Sequence, residues 1–196
     1  NLVGHERGRH QRLALDSDGG TAFGDAEELH DDSRGGRDTL VGGANAVLNN
    51  LFGDANAMFD RSVGGDDTLL GGANAQFNML FGDAFFMAGD SRGGDDRLTG
   101  GSGAGDNTLV GDAEIMLERA VGGDDLLVGG FGAGSNTLYG DALNMIGSAR
   151  GGDDRLLGGV GATNRLFGEA EQMSNDTIGG NDRLREKLTA FALPFT

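Results

Sequence analysis

The sequence predicts an all-β fold, a parallel β-solenoid (β-helix or β-roll) of about five to six 29-residue coils, three short strands per coil, wound right-handed. Three observations carry that expectation. Gly-Gly pairs followed by a polar residue and Asp begin at Gly35, Gly64, Gly93, Gly122, Gly151 and Gly179, at steps of 29, 29, 29, 29 and 28 residues. A second phrase keeps the same beat, with "FGDA" from Phe23, Phe52 and Phe81, "VGDA" from Val110, "YGDA" from Tyr139 and "FGEA" from Phe167. Gly supplies 39 of 196 residues, and a chain that rich in a residue without a side chain spends it on repeated tight turns.

Each unit holds three apolar segments bounded by Gly, Asp and Asn, the pattern of short strands joined by turns. The first follows the Asp of the Gly-Gly phrase, as in Thr68-Leu69-Leu70, and stacks Leu40, Leu69, Leu98, Leu127, Leu156 and Leu184 into an internal ladder. The second follows an Asn, as in Asn78-Met79-Leu80-Phe81, and stacks Leu51, Leu80, Leu109, Leu138 and Leu166. The third follows the Ala of "GDA" and stacks Met58, Met87, Met116, Met145 and Met173, read as adaptable core filler. No single unit can bury its Leu; stacked coils can. Residues 35–184 make the repeat. Residues 1–34 read as a degraded cap, with "RGRHQRLALDSDGG" out of phase, and 185–196 as a C-terminal cap or an export-signal tail.

Composition narrows the function. Asp and Glu outnumber Lys and Arg by 31 to 15, a formal charge of −16, which argues against a nucleic-acid partner and for cations. With no Cys, disulfides, thiolate metal sites and a Cys nucleophile are excluded. No apolar run reaches the roughly 20 residues of a membrane span, and no signal peptide is recognisable at Asn1.

Stacking also creates an electrostatic problem. Asp38, Asp67, Asp96, Asp125, Asp154 and Asp182 fall at one corner, and Asp54, Asp83, Asp112, Asp141 and Glu169 at another. Unit charges near 5 Å repel by roughly 3 to 4 kcal/mol at an effective dielectric of 20. Arg97, Arg155, Arg183, Arg92 and Arg150 occur in only some units, so Arg cannot neutralise every step. A hard divalent cation is the better complement, and calcium tolerates flexible all-oxygen turns better than magnesium.

These residues resemble the hemolysin-type calcium-binding repeats of the RTX family, whose nonapeptide G-G-x-G-x-D-x-U-x builds a parallel β-roll with calcium in its turns. The closest pieces are Gly101 to Leu109 and the "GGDDTL" and "GGDDRL" phrases. The chain departs from that family in its 29-residue coil and in placing Asn49, Asn78, Asn107, Asn136 and Asn164 where the family has ligand Asp, so some turns are expected to lack metal. The resemblance implies several calcium ions held by Asp38, Asp67, Asp96, Asp125, Asp154 and Asp182, with Asp66, Asp95, Asp124 and Asp153 at a variable position that can lend a backbone carbonyl. Asp83, Asp112 and Asp141 are further candidate ligands. It also implies non-classical bacterial export to the exterior or cell surface, where calcium folds the chain.

Catalysis is not expected. The three histidines, His5, His10 and His30, lie outside the regular repeat, and an Asp recurring in every coil distinguishes no single acid–base pair. The rival reading is a solenoid face that binds glycan, ice or protein. Thr39 and Thr68 belong to one strand row and Thr108 and Thr137 to another, which breaks an ice-matching array. Phe85 and Phe86, or the solenoid edges, could support self-association.

Overall fold

A computed structural model describes residues 1–174 and 176–186. Among these residues there is no helix, and the chain winds through three parallel sheets. One turn of the winding runs through Thr68–Leu70, Phe77–Phe81 and Ala84–Met87, then crosses a single bridge residue before the next Gly-Gly pair. The first sheet has seven strands, from Arg12–Ala14 to Arg183–Arg185; the second and third have six each, ending at Thr163–Phe167 and Ala170–Met173. Every pairing is parallel and in register with the repeat, as in Leu69↔Leu98↔Leu127 and Leu80↔Leu109↔Leu138.

Register decides what is buried. Because side chains alternate across a strand, an in-phase repeat places the same residue type inward in every coil. The Leu rows of the first and second sheets meet in one apolar cluster, and the Met row packs with Ala84, Ala113 and Ala142 in another. Each fully buried Leu contributes about 1.5–3 kcal/mol, so the cluster grows by a fixed increment per coil. The Met row is thus core from Met58 to Met145, whereas Met173 and Leu184, expected in the Met and Leu ladders, are each 43% exposed at the carboxyl-terminal end of the described coils. The aromatic residue of "FGDA" forms a third cluster, in which Phe52 and Phe81 stack with ring centroids 4.9 Å apart.

The amino-terminal segment is more regular than its letters suggest. Arg12–Ala14 pairs with Thr39–Val41, so "RGRHQRLA" is a coil offset by 27 residues instead of 29. In that coil Gly8-Arg9-His10-Gln11 stands where its neighbour has Gly35-Gly36-Arg37-Asp38, and Gln11 takes the place of the ladder Asp. At the other end Arg185 closes the last strand of the first sheet, while residues 187–196 of the expected cap or export tail lie outside the described residues.

Candidate functional site: two buried carboxylate ladders

The Gly-Gly turns and the "GDA" corners send their carboxylates into the coil interior. In the first ladder each main-chain N–H reaches forward one coil. Asp38 N–H donates to Asp67 Oδ1 (2.6 Å), Asp67 to Asp96 (2.6 Å), Asp96 to Asp125 (2.7 Å) and Asp125 to Asp154 (2.8 Å). In the second ladder the carboxylate reaches the Gly-Gly pair that follows it eleven residues on. Gly94 N–H donates to Asp83 Oδ1 (2.9 Å), Gly123 to Asp112 (2.8 Å) and Gly152 to Asp141 (2.7 Å). Gly65 N–H donates to both oxygens of Asp54.

Asp54 apart, one oxygen of each of these carboxylates is therefore held, and the other is left over. Oδ2 of Asp38, Asp67, Asp96, Asp125 and Asp154, and of Asp83, Asp112 and Asp141, is buried without a hydrogen-bond partner. The surroundings worsen the problem. A Cβ on Gly82 would collide with both Asp96 Oδ2 and the Gly111 carbonyl oxygen, and Gly53, Gly111 and Gly140 stand in the same relation to Asp67, Asp125 and Asp154. Acceptor faces acceptor at every step, and only Gly leaves room for it. The second ladder crowds likewise, since a Cβ on Gly93 would meet Asp83 and Asp112 together.

Buried acceptors facing acceptors resist ionisation. Desolvation, the largest cause, pushes Asp67 up to about 8, Asp154 to about 9, Asp112 to about 7 and Asp38 to about 6. Asp54, Asp83, Asp96 and Asp125 are raised well above the usual carboxylate range by desolvation and then by the charges of neighbouring ladder carboxylates, Asp67 and Asp112 among them. Either a proton or a cation could satisfy the unpartnered oxygens of the two ladders.

The sequence-derived candidates divide into two sets. Asp38, Asp67, Asp96, Asp125, Asp154, Asp83, Asp112 and Asp141 are buried together, and Asp182 continues the first ladder as acceptor from Asp154 N–H. Asp66, Asp95, Asp124 and Asp153 form a separate exposed row on the outside of the same turn, where Arg37 pairs with Asp66. Asp25, Asp54 and Glu169 belong to the second ladder and were absent from the expected ligands, although the "GDA" and "GEA" phrases mark them. Asp106, the Asp of the closest nonapeptide match, is exposed and accepts from Ser135 Oγ, so the literal match falls outside the ladders.

Gln11 shows what the ladder lacks. Its N–H donates to Asp38 Oδ1 as a ladder Asp would, but its Nε2 donates to the Gly24 carbonyl at 2.6 Å. An amide N–H thus stands where later coils place a bare carboxylate oxygen.

Among the described residues, no three acidic or histidine side chains converge into a group able to hold a metal by themselves. A cation here has to draw on main-chain carbonyls as well, and Gly53, Gly82, Gly111 and Gly140 present theirs beside the unpartnered carboxylate oxygens. Such an all-oxygen set suits a hard cation and offers nothing soft for zinc or copper. The parallel winding agrees with the β-roll implied by the RTX resemblance, while comparison with family models, curated proteins and solved structures finds no match.

Proposed function

We propose that this chain is a non-enzymatic, calcium-binding β-solenoid module whose folding is coupled to cation uptake, and that it works outside a bacterial cell. The observation that carries the reading is the run of buried, unpartnered Oδ2 atoms facing main-chain carbonyls in successive coils. When bound, calcium would supply the positive charge between those oxygens. Asp67, Asp96, Asp125 and Asp154 would hold it with Gly82, Gly111, Gly140 and Gly168, and the second ladder would share the charge. The N–H donors of the preceding coil fix each carboxylate, so what remains to be satisfied is repeated identically along the axis. Ion binding then becomes folding free energy. At low intracellular calcium the ladders repel and the Gly-rich chain stays extended for export; at higher external calcium the coils close.

A second reading, a binding face for another macromolecule, is favoured by the exposure of Val47 (66%) and Phe131 (68%) on the outer turns. Calcium titration of the metal-stripped chain separates the two, followed by far-ultraviolet circular dichroism with magnesium as control. A cooperative, calcium-specific gain of β signal at neutral pH is the expected result. A full β signal in chelator at neutral pH, unchanged by calcium, would overturn the calcium reading and leave the surface reading first.

A further inference from the structure

The first two coils carry a feature opposite in charge to the rest of the molecule. The single-residue bridges form an outer line, Arg7, Arg34, Val63, Arg92, Val121, Arg150 and Ile178, each the parallel partner of the next. From Arg34 onward the line alternates Arg with an apolar residue, so within this line no Arg is the direct partner of another, although Arg155 and Arg183 pair directly in the first sheet. Arg7 and Arg34 break that rule. Like charges directly opposite in a sheet are destabilising, and neighbouring strands lie only about 4.8 Å apart.

A second pair stands three residues further along, where His10 and Arg37 occupy equivalent positions. Arg37 N–H donates to His10 Nδ1 at 2.8 Å, which places the neutral ring's proton on Nε2 as an outward donor. Between the two pairs the main chain passes through Gly8 and Arg9 in one coil and Gly35 and Gly36 in the next, and the carboxylates of Asp25 and Asp54 lie on the inner side of these glycines. The result is an open cleft of about 380 Å³ lined by Arg7, His10, Arg34 and Arg37. Its one carboxylate, Asp66, is engaged by Arg37. Among the described residues Arg7 and Arg34 are in no ion pair. In a chain of net charge −16, two guanidiniums that make no ion pair stand on adjacent coils beside an imidazole donor, while Asp32, the carboxylate whose charge Arg34 feels, is already bound by Arg61.

We propose that this cleft binds an oxyanion, the sulfate or phosphate monoester group of a ligand. Two guanidinium forks offer paired N–H donors matched to such a group, and His10 Nε2–H adds a third direction. The anion would also relieve the Arg7–Arg34 repulsion. The site uses no ladder carboxylate as a ligand, so it stands or falls separately from the calcium reading.

The test uses the full chain in calcium chloride, with its β signal verified first. Sodium sulfate is titrated against sodium chloride at matched ionic strength while the amide resonances of Gly8, Gly35 and Gly36 and the Arg Nε–H resonances are followed. Saturable shifts confined to the first two coils are expected, with affinity reduced at least about tenfold by Arg7→Gln or Arg34→Gln. Arg92→Gln, in the same line but flanked by Val63 and Val121, should leave the affinity unchanged. O-phosphoserine and glucosamine 6-sulfate, run in parallel, distinguish the sources of the group: tighter binding of either identifies its class, and equal binding assigns the anion alone. Shifts that do not saturate, or that are as large at Arg92 and Arg150 as at Arg34, would overturn the proposal.

Discussion

The Asn corner and the Asp corner of each coil obey the same construction, one inward polar side chain per coil stacked on its copies, yet only the Asn corner is complete. Asn78 Oδ1 accepts from Gly72 N–H (2.8 Å), and its Nδ2 donates to Gly72 O (3.1 Å) and to Asn107 Oδ1 (2.9 Å). Asn49, Asn107 and Asn136 repeat this, so donors and acceptors alternate along the axis without remainder. A carboxylate has no N–H to give, so the Asp corner stacks acceptor on acceptor and leaves one oxygen orphaned per step. The Asn oxygen takes a Gly N–H of its own coil and the Asp oxygen the N–H of the preceding ladder Asp, but the decisive difference is that the amide has Nδ2–H where the carboxylate has a second oxygen. The Asn ladder is complete without a cation; the Asp ladder needs a proton or an ion.

The largest expected effect follows from making that need visible. Every ladder Asp from Asp38 to Asp154 has its folded-state pKa above its unfolded value, so its stabilising contribution is full below the ordinary carboxylate range and is lost as pH rises through the folded value. With folded values from about 6 at Asp38 through about 7, 8 and 9 at Asp112, Asp67 and Asp154 to about 11 at Asp141, the chelated chain should keep its β signal at pH 4 and lose it from about pH 6 upward, the last ladder contribution going near pH 11. Calcium should move that loss to higher pH. Circular dichroism against pH, with and without calcium, measures both; a pH-independent signal in chelator would mean that the two corners do not differ as described.

Exchanging the chemistry of single positions sharpens the comparison. Asn107→Asp removes the donors to Gly101 O and Asn136 Oδ1 and buries a charge among carbonyls. A loss of about 3–5 kcal/mol in denaturant unfolding at neutral pH is expected, as for an uncompensated buried charge. The reverse change, Asp96→Asn, keeps an acceptor for Asp67 N–H and turns the orphaned Oδ2 into a donor facing Gly111 O. In chelator it should gain about 1–2 kcal/mol and make folding less dependent on calcium. If Asp96→Asn destabilised the chelated chain, the unpartnered oxygens would not be its weak point.

Much of this was legible because the period is strict. Phase alone identifies the Leu and Met rows as core, since one in-register repeat sends every equivalent residue to the same side. Phase also groups the Asp residues, but it cannot separate Asp67 from Asp66, which are adjacent, the same residue type and on opposite faces of the turn. Burial divides them, and burial depends on the main-chain path through the Gly-Gly turn. The first coil was obscured for a different reason. Its 27-residue length and the change from Asp to Gln conceal a register that only strand pairing reveals.

That concealed coil supplies the smallest and most discriminating change. Gln11 ends the first ladder with an amide, so the last carboxylate in that direction, Asp38, has a neutral neighbour on its outer side. Gln11→Leu removes the Nε2 donor to Gly24 O and should cost about 1 kcal/mol, felt locally as faster amide exchange in the first two coils. Gln11→Asp keeps the stacking but extends the carboxylate ladder by one step. It should raise the calcium concentration needed to protect those same amides while leaving the coils beyond Leu98 unaffected, because each coil in a solenoid feels chiefly its neighbours. If Gln11→Asp and Gln11→Leu gave the same calcium dependence, loss of the amide alone would account for both, and the ladder's demand for positive charge would not act step by step.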